Sequence, residues 1–160
     1  MIDPDVRPAQ SGDAVELAAL ELEARAALRD ARGGARWLEE HPFIGTEWVH
    51  AIELRHVLVA EIAGAPPLIV GYLVLDVTGE VATVDQVYVL PAARQLGFGD
   101  ALLEEATTRA RQLGARLLEG QALPGDRETK NLYERAGIKA RLITVSLRLT
   151  DPSSSGDASR

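Results

Sequence analysis

The stretch Val84 to Leu103, VDQVYVLPAARQLGFGDALL, constrains this chain more than any other, because it reads as a strand, a sharp exit, a glycine turn and a helix start. Val84, Val87, Tyr88 and Val89 are β-branched or aromatic, the composition of a buried strand. Pro91 has no N–H to give a ladder and stops the strand. Arg94-Gln95-Leu96-Gly97-Phe98-Gly99 then leads into Asp100, and Leu102, Ala106, Ala110 and Leu113 recur at helical spacing. Two glycines before a helix let backbone approach a ligand closely. The first N–H groups of the helix lack internal partners and sit at the positive end of its dipole. Together they form a place for phosphate.

Two common phosphate loops are excluded. A P-loop needs Gly-Lys-Ser/Thr at the helix start, whereas Asp100 and Ala101 follow Gly99. A dinucleotide fingerprint needs a third glycine where this chain has Leu102. What remains, Arg-x-x-Gly-x-Gly after Val-Tyr-Val-Leu-Pro, resembles the coenzyme A loop of the GNAT N-acetyltransferase superfamily. A second segment, Asp126-Arg127-Glu128-Thr129-Lys130-Asn131-Leu132-Tyr133-Glu134-Arg135-Ala136-Gly137-Ile138, resembles the family's Asn-x-x-Ala-x-x-Leu-Tyr-Glu-Lys-x-Gly-Phe. Leu132, Tyr133, Glu134 and Gly137 match; Asp126, Thr129 and Ile138 depart from Asn, Ala and Phe. The two matches lie at the family's spacing, and the resemblance covers about Leu68 to Leu147.

The resemblance implies an α/β (α+β) fold of GNAT type: a mixed, mostly antiparallel sheet of six or seven strands with about four flanking helices. Along the chain, Asp5–Ala9 reads as a weak edge strand between prolines, and Asp13 with Glu16 as a capping box opening a helix to about Ala31. Ala35–His41 reads as a short helix, and Trp48–Ile62 as a strand, followed by a strand from Leu68 to Leu75. Ala115–Leu123 reads as another strand, and Asp126 caps a helix through Ala136. Ile138–Leu149 alternates as a final strand or hairpin, and Asp151–Arg160 has the composition of a disordered tail. Residues 1–150 are thus expected to form one domain.

Amide synthesis from acetyl-CoA sets three problems: a neutral amine, a developing oxyanion and a leaving thiolate. The resemblance assigns the thiolate's proton donor to Tyr133; the bland alternative is a core aromatic with a satisfied hydroxyl. It assigns the oxyanion and pantetheine contacts to backbone at Val87, Tyr88 and Val89, in a V-shaped opening between strands Ala82–Leu90 and Ala115–Leu123. An ordinary paired strand is the alternative there. The pyrophosphate is expected on N–H groups from Gln95, Leu96, Gly97, Phe98, Gly99 and Asp100, with Arg94 either beside it or a solvated cation. Asp126 stands at the family's pantetheine-contacting amide. Asp85 is the candidate base or amine-orienting group, expected to share a strand face with Val87 and Val89; the alternative is a strand carboxylate bound to a loop. His41, His50 and His56 read as solvated or core-edge, with the last two on one strand face and no metal site. Trp37, Phe43 and Trp48 either shape the acceptor cleft or simply pack.

Composition bounds the partners. A net charge of −7 without a basic stripe disfavours nucleic acid and suits a cationic or amine acceptor, small molecule or peptide. There is no cysteine, so disulfides and thiol nucleophiles are excluded, which agrees with direct attack in a ternary complex. No apolar run of membrane-spanning length or signal peptide is evident, so no membrane partner and a cytoplasmic location are expected. A homodimer stays open. The expected activity is acetyl transfer from acetyl-CoA, with no metal. Two rivals remain: a longer acyl-CoA as donor, and an acyl-CoA-binding or partner-binding module with little catalysis.

Overall fold

The computed structural model describes residues 3–147 and 149. Five strands form one sheet in the order β1-β2-β3-β4-β5: β1 Asp5–Pro8, β2 His56–Ile62, β3 Leu68–Thr78, β4 Val81–Val89 and β5 Leu117–Gly120. The first three pairings are antiparallel and β4–β5 is parallel. Five α-helices accompany them: α1 Ala14–Leu28, α2 Gly34–Glu40, α3 Trp48–Leu54, α4 Phe98–Gln112 and α5 Arg127–Arg135. The class is α+β as expected, with five strands among the described residues rather than six or seven.

Strand β3 is buried from Ile69 through Leu75, because both faces of the sheet are covered. On one face Leu58, Leu73, Leu75 and Val84 pack with Phe98, Leu102, Leu103 and Ala106 of α4 and Leu132 and Tyr133 of α5. On the other, Val57, Val59, Tyr72 and Val74 pack with Leu17 and Leu20 of α1 and Trp48 of α3. Trp48 is wholly buried, edge-on to Tyr72 with ring centroids 5.5 Å apart. It is therefore core, not cleft wall.

Two expected elements differ. The segment read as one strand over Trp48–Ile62 is a helix to Leu54 and a strand only from His56. Its apolar residues Trp48, Ala51 and Ile52 recur at helical spacing toward the α1 core, which outweighs the alternation farther on. His50 and His56 consequently share no strand. The expected strand Ile138–Leu149 is unpaired over its described part. Leu142, Ile143, Val145, Leu147 and Leu149 are 79–88% exposed, so the alternation pairs with neither outer strand of the sheet and buries no face. The expected tail, residues 151–160, lies outside the described residues.

A buried carboxylate fixes how α3 enters. Glu21 of α1, 0% exposed, accepts hydrogen bonds from Ile44 N at 2.8 Å, Gly45 N at 3.1 Å and Trp48 Nε1 at 2.8 Å. Three donors satisfy a charge that would otherwise be expensive to bury.

Candidate active site

Strands β4 and β5 pair over only four positions, from Val81 opposite Leu117 to Val84 opposite Gly120. β4 then continues to Val89 while β5 ends, so the sheet opens at Asp85. The strand expected over Ala115–Leu123 spans only Leu117–Gly120, which leaves β4 beyond Val84 without a β5 partner.

A β-bulge sits at the same place. Against β3, Gln86 faces Val74 but Val84 faces Leu75, leaving Asp85 as the extra residue. The bulge turns both Asp85 and Gln86 toward the α1–α3 face, where the Tyr72 hydroxyl donates to Gln86 Oε1 at 2.9 Å. Val87 and Val89 pack on the α4–α5 face instead. Asp85 therefore does not share a face with them, contrary to a simple count of alternate residues.

The ladder decides which backbone groups face the opening. Leu90 N donates to Val70 O at 2.8 Å, and antiparallel pairs alternate, so Gln86 and Tyr88 also address β3. Val87 and Val89 point their N–H and C=O groups the other way, where β5 has ended. The carbonyl of Val89 accepts from Arg94 Nε at 3.0 Å. Arg94 also pairs with Glu128 of α5 at 2.7 Å and lies 5.6 Å over the Tyr88 ring. It ties the end of β4 to α5 and is no free surface cation.

The loop before α4 is built from left-handed residues. Gln95 has φ 65° and Gly97 φ 88°; Gln95 is the one non-glycine residue with positive φ among those described. Such turns aim successive N–H groups into one concavity. The first α4 bond runs from Ala101 N to Gly97 O, leaving the N–H groups of Phe98, Gly99 and Asp100 without helical partners. The Phe98 side chain is core, so only its backbone faces the loop. Leu96 is exposed and Asp100 pairs with Arg135 at 3.0 Å. Gly99 has a packing reason as well: a Cβ there would lie 3.1 Å from Leu132 Cδ1.

Tyr133 of α5 is 6% exposed, and its ring rests on β5 where the strands part. A Cβ on Gly120 would lie 2.5 Å from both the hydroxyl oxygen and Cζ of Tyr133. Burial pushes the phenol well above its ordinary pKa, and the negative charges of Asp126 and Asp85 add to the shift. Tyr133 thus holds its proton throughout the neutral range. Asp126 caps α5, its Oδ1 accepting from Thr129 N at 3.1 Å and its Oδ2 from Thr129 Oγ1 at 2.6 Å.

Across the sheet, Asp85 Oδ2 accepts from Arg55 Nη2 at 2.7 Å, and Arg55 also forks onto Asp76. Those two carboxylates, Asp76 first and then Asp85, raise the guanidinium's pKa above its already high value. Asp85 Oδ1 lies 3.7 Å from His41 Nε2. Arg55, His41 and Gly120 had no signal in the sequence, since nothing in it says which loop or helix end reaches the bulge. Phe43 is half exposed, with the Arg25 guanidinium 5.8 Å from its ring centre. Among the described residues, no group of three or more side chains could hold a metal ion. No helix of those residues is long and apolar enough to cross a membrane.

Among curated proteins, no sequence matches this chain. The solved structures most like it include a ribosomal-protein-alanine N-acetyltransferase from Brucella melitensis biovar Abortus 2308. It has TM-score 0.70 and 20% identity, over 92% of this chain and 100% of that one. An aminoglycoside N-acetyltransferase in complex with CoA matches with TM-score 0.67 and 14% identity, over 93% and 96% of the two chains. The Salmonella typhimurium protein yncA with its cofactor acetyl-CoA matches with TM-score 0.67 and 21% identity, over 84% and 78%. At such identities the likeness is one of fold. The profile of the Acetyltransferase (GNAT) family matches residues 19–138, and the chain therefore belongs to the GNAT acetyltransferase family.

Proposed function

We propose that this protein transfers an acetyl group from acetyl-CoA to a primary amine by direct attack in a ternary complex. The observation that carries the reading is the open edge of β4, with the outward amides of Val87 and Val89 beside the left-handed loop that starts α4. Fold neighbours solved with CoA and acetyl-CoA support the donor. The amides of residues 95–100 would bind the pyrophosphate, aided by the positive end of a fifteen-residue helix. Val87 and Val89 would receive the pantetheine amide and the thioester carbonyl. A fixed N–H aimed at that carbonyl is worth most as its oxygen becomes negative, where removing such a donor typically costs about 100–1000-fold in rate.

In the transfer, the amine nitrogen bonds to the carbonyl carbon, the C–S bond breaks and the thiolate leaves. Tyr133, held protonated by burial, would give its proton to that sulfur. Asp85, already held by Arg55, would orient the incoming ammonium, and Asp126 would steady the α5 start beside the pantetheine. The acidic net charge favours a cationic acceptor.

The test is thermal unfolding with acetyl-CoA, CoA, NAD and ATP, followed by thiol release with an aminoglycoside, a polyamine and an alanine-initiated peptide. A ligand at a hundred times its Kd stabilises by about 2.7 kcal/mol. A melting rise with acetyl-CoA or CoA and not with NAD or ATP is the expected result; no rise with either thioester or CoA refutes the reading. Tyr133→Phe should keep the rise and lose turnover, whereas a module that only binds acyl-CoA would be unchanged.

A further inference from the structure

His41 ends α2 in a posture that a solvated surface histidine does not need. Its ring lies flat on Trp37, centroids 4.1 Å apart and planes within 8°. Its Nδ1 is 2.9 Å from the Trp37 carbonyl oxygen. A carbonyl only accepts, so in the neutral ring Nδ1 carries the hydrogen and Nε2 is a bare lone pair. Its own carbonyl accepts from Arg25 Nη1 at 2.7 Å, which anchors the residue to α1. Ring orientation and tautomer are therefore both fixed.

The bare nitrogen faces the bulge. Nε2 is 3.7 Å from Asp85 Oδ1, too long for a direct hydrogen bond and short enough for one ammonium or water to touch both atoms. Asp85 cannot swing away, because Arg55 holds its other oxygen. Both side chains remain reachable, at 23% and 20% exposure. They stand where β4 and β5 part, on the α1–α3 face, with Tyr133 on the opposite face over Gly120. The charged groups that face His41 are Asp85, Arg55 behind it and Arg25 at its backbone.

We propose that His41 Nε2 takes the proton from the acceptor amine and that Asp85 stabilises the imidazolium so formed, an inference that rests on the acetyl-transfer reading above. The ammonium loses one proton to Nε2 and the free amine attacks. As the C–S bond breaks, Tyr133 gives its proton to the thiolate, and the second proton lost from the nitrogen of the tetrahedral intermediate restores the Tyr133 phenol. The net proton released is the one held on His41. Arg55 is then a positioning residue for Asp85. An arginine-paired carboxylate is already satisfied as an anion, which suits it to orient and neutralise, and leaves proton acceptance to the imidazole.

Two measurements test this. Long-range proton–nitrogen NMR, with His41 assigned by its absence in His41→Gln, should show the Nδ1–H tautomer; an Nε2–H ring would overturn the assignment without any substrate. In the thiol-release assay, His41→Gln should lose about 100-fold or more in kcat/KM. The acid limb of its pH profile should disappear while the acetyl-CoA melting rise is retained. Added imidazole should restore part of the rate of His41→Ala. A His41→Gln enzyme within about threefold of wild type, with its acid limb intact, overturns the inference and leaves the acetyl-transfer reading standing. A wild-type protein that shows no melting rise with acetyl-CoA and no thiol release overturns both.

Discussion

Replacing Gly120 by alanine tests how Tyr133 is placed. The added Cβ would sit 2.5 Å from the Tyr133 hydroxyl oxygen and Cζ, and 2.8 Å from Cε1. Carbon contacts are comfortable near 3.5 Å, so the ring must retreat by roughly 1 Å. It has little room, because Tyr133 is 6% exposed and its neighbour Leu132 packs on Gly99 of α4. Overpacking of this kind costs about 1–3 kcal/mol. At about 2 kcal/mol, a chain of this size loses roughly 4–8 °C in Tm. A displacement near 1 Å at a reacting group costs about 100-fold in rate. Differential scanning calorimetry and thiol release, each against wild type and Tyr133→Phe, read the two effects separately. The double variant should be no slower than Tyr133→Phe, since both changes act on one hydroxyl. A Gly120→Ala protein with unchanged Tm and turnover would refute the placement of the Tyr133 ring on β5.

Other perturbations follow from equally local contacts. Glu21→Ala orphans three donors at once, two of them buried (Gly45 N and Trp48 Nε1), and at about 1–3 kcal/mol for each buried unsatisfied group it should cost roughly 2–6 kcal/mol in denaturant unfolding. Glu21→Gln, which keeps one acceptor oxygen, should cost less. Gln95→Gly removes a left-handed strain of about 1 kcal/mol and should leave the acetyl-CoA melting rise intact, because only backbone is offered there. Arg7 holds the Asp13 carboxyl below the usual carboxylate range, chiefly through its hydrogen bond. A lowered folded-state pKa contributes stability that is complete above the unfolded value and lost as pH falls through the folded one. Asp13→Asn should therefore be destabilising at pH 7, with the difference shrinking below about pH 4.

The sequence by itself determined the loop and its helix. Pro91 ends a β-branched strand, Gly97 supplies the left-handed turn, and the apolar spacing after Gly99 admits one helix face; each is a property of neighbouring residues. The α5 cap at Asp126 was legible for the same reason. Tertiary structure decided the rest. Alternation over Trp48–Ile62 was overruled by the core between α1 and the sheet, which takes Trp48 on a helix. Alternation over Ile138–Leu149 pairs with no strand over its described part. Counting alternate residues put Asp85 on the face of Val87 and Val89, and one extra residue in β4 reversed that. His41, Arg55 and Gly120 come near Asp85 only because a helix end, a strand start and a strand end converge on that bulge. Local sequence fixes φ, ψ and periodicity within a few residues. Which side chains meet across forty residues depends on pairing register, and a single bulge is enough to change it.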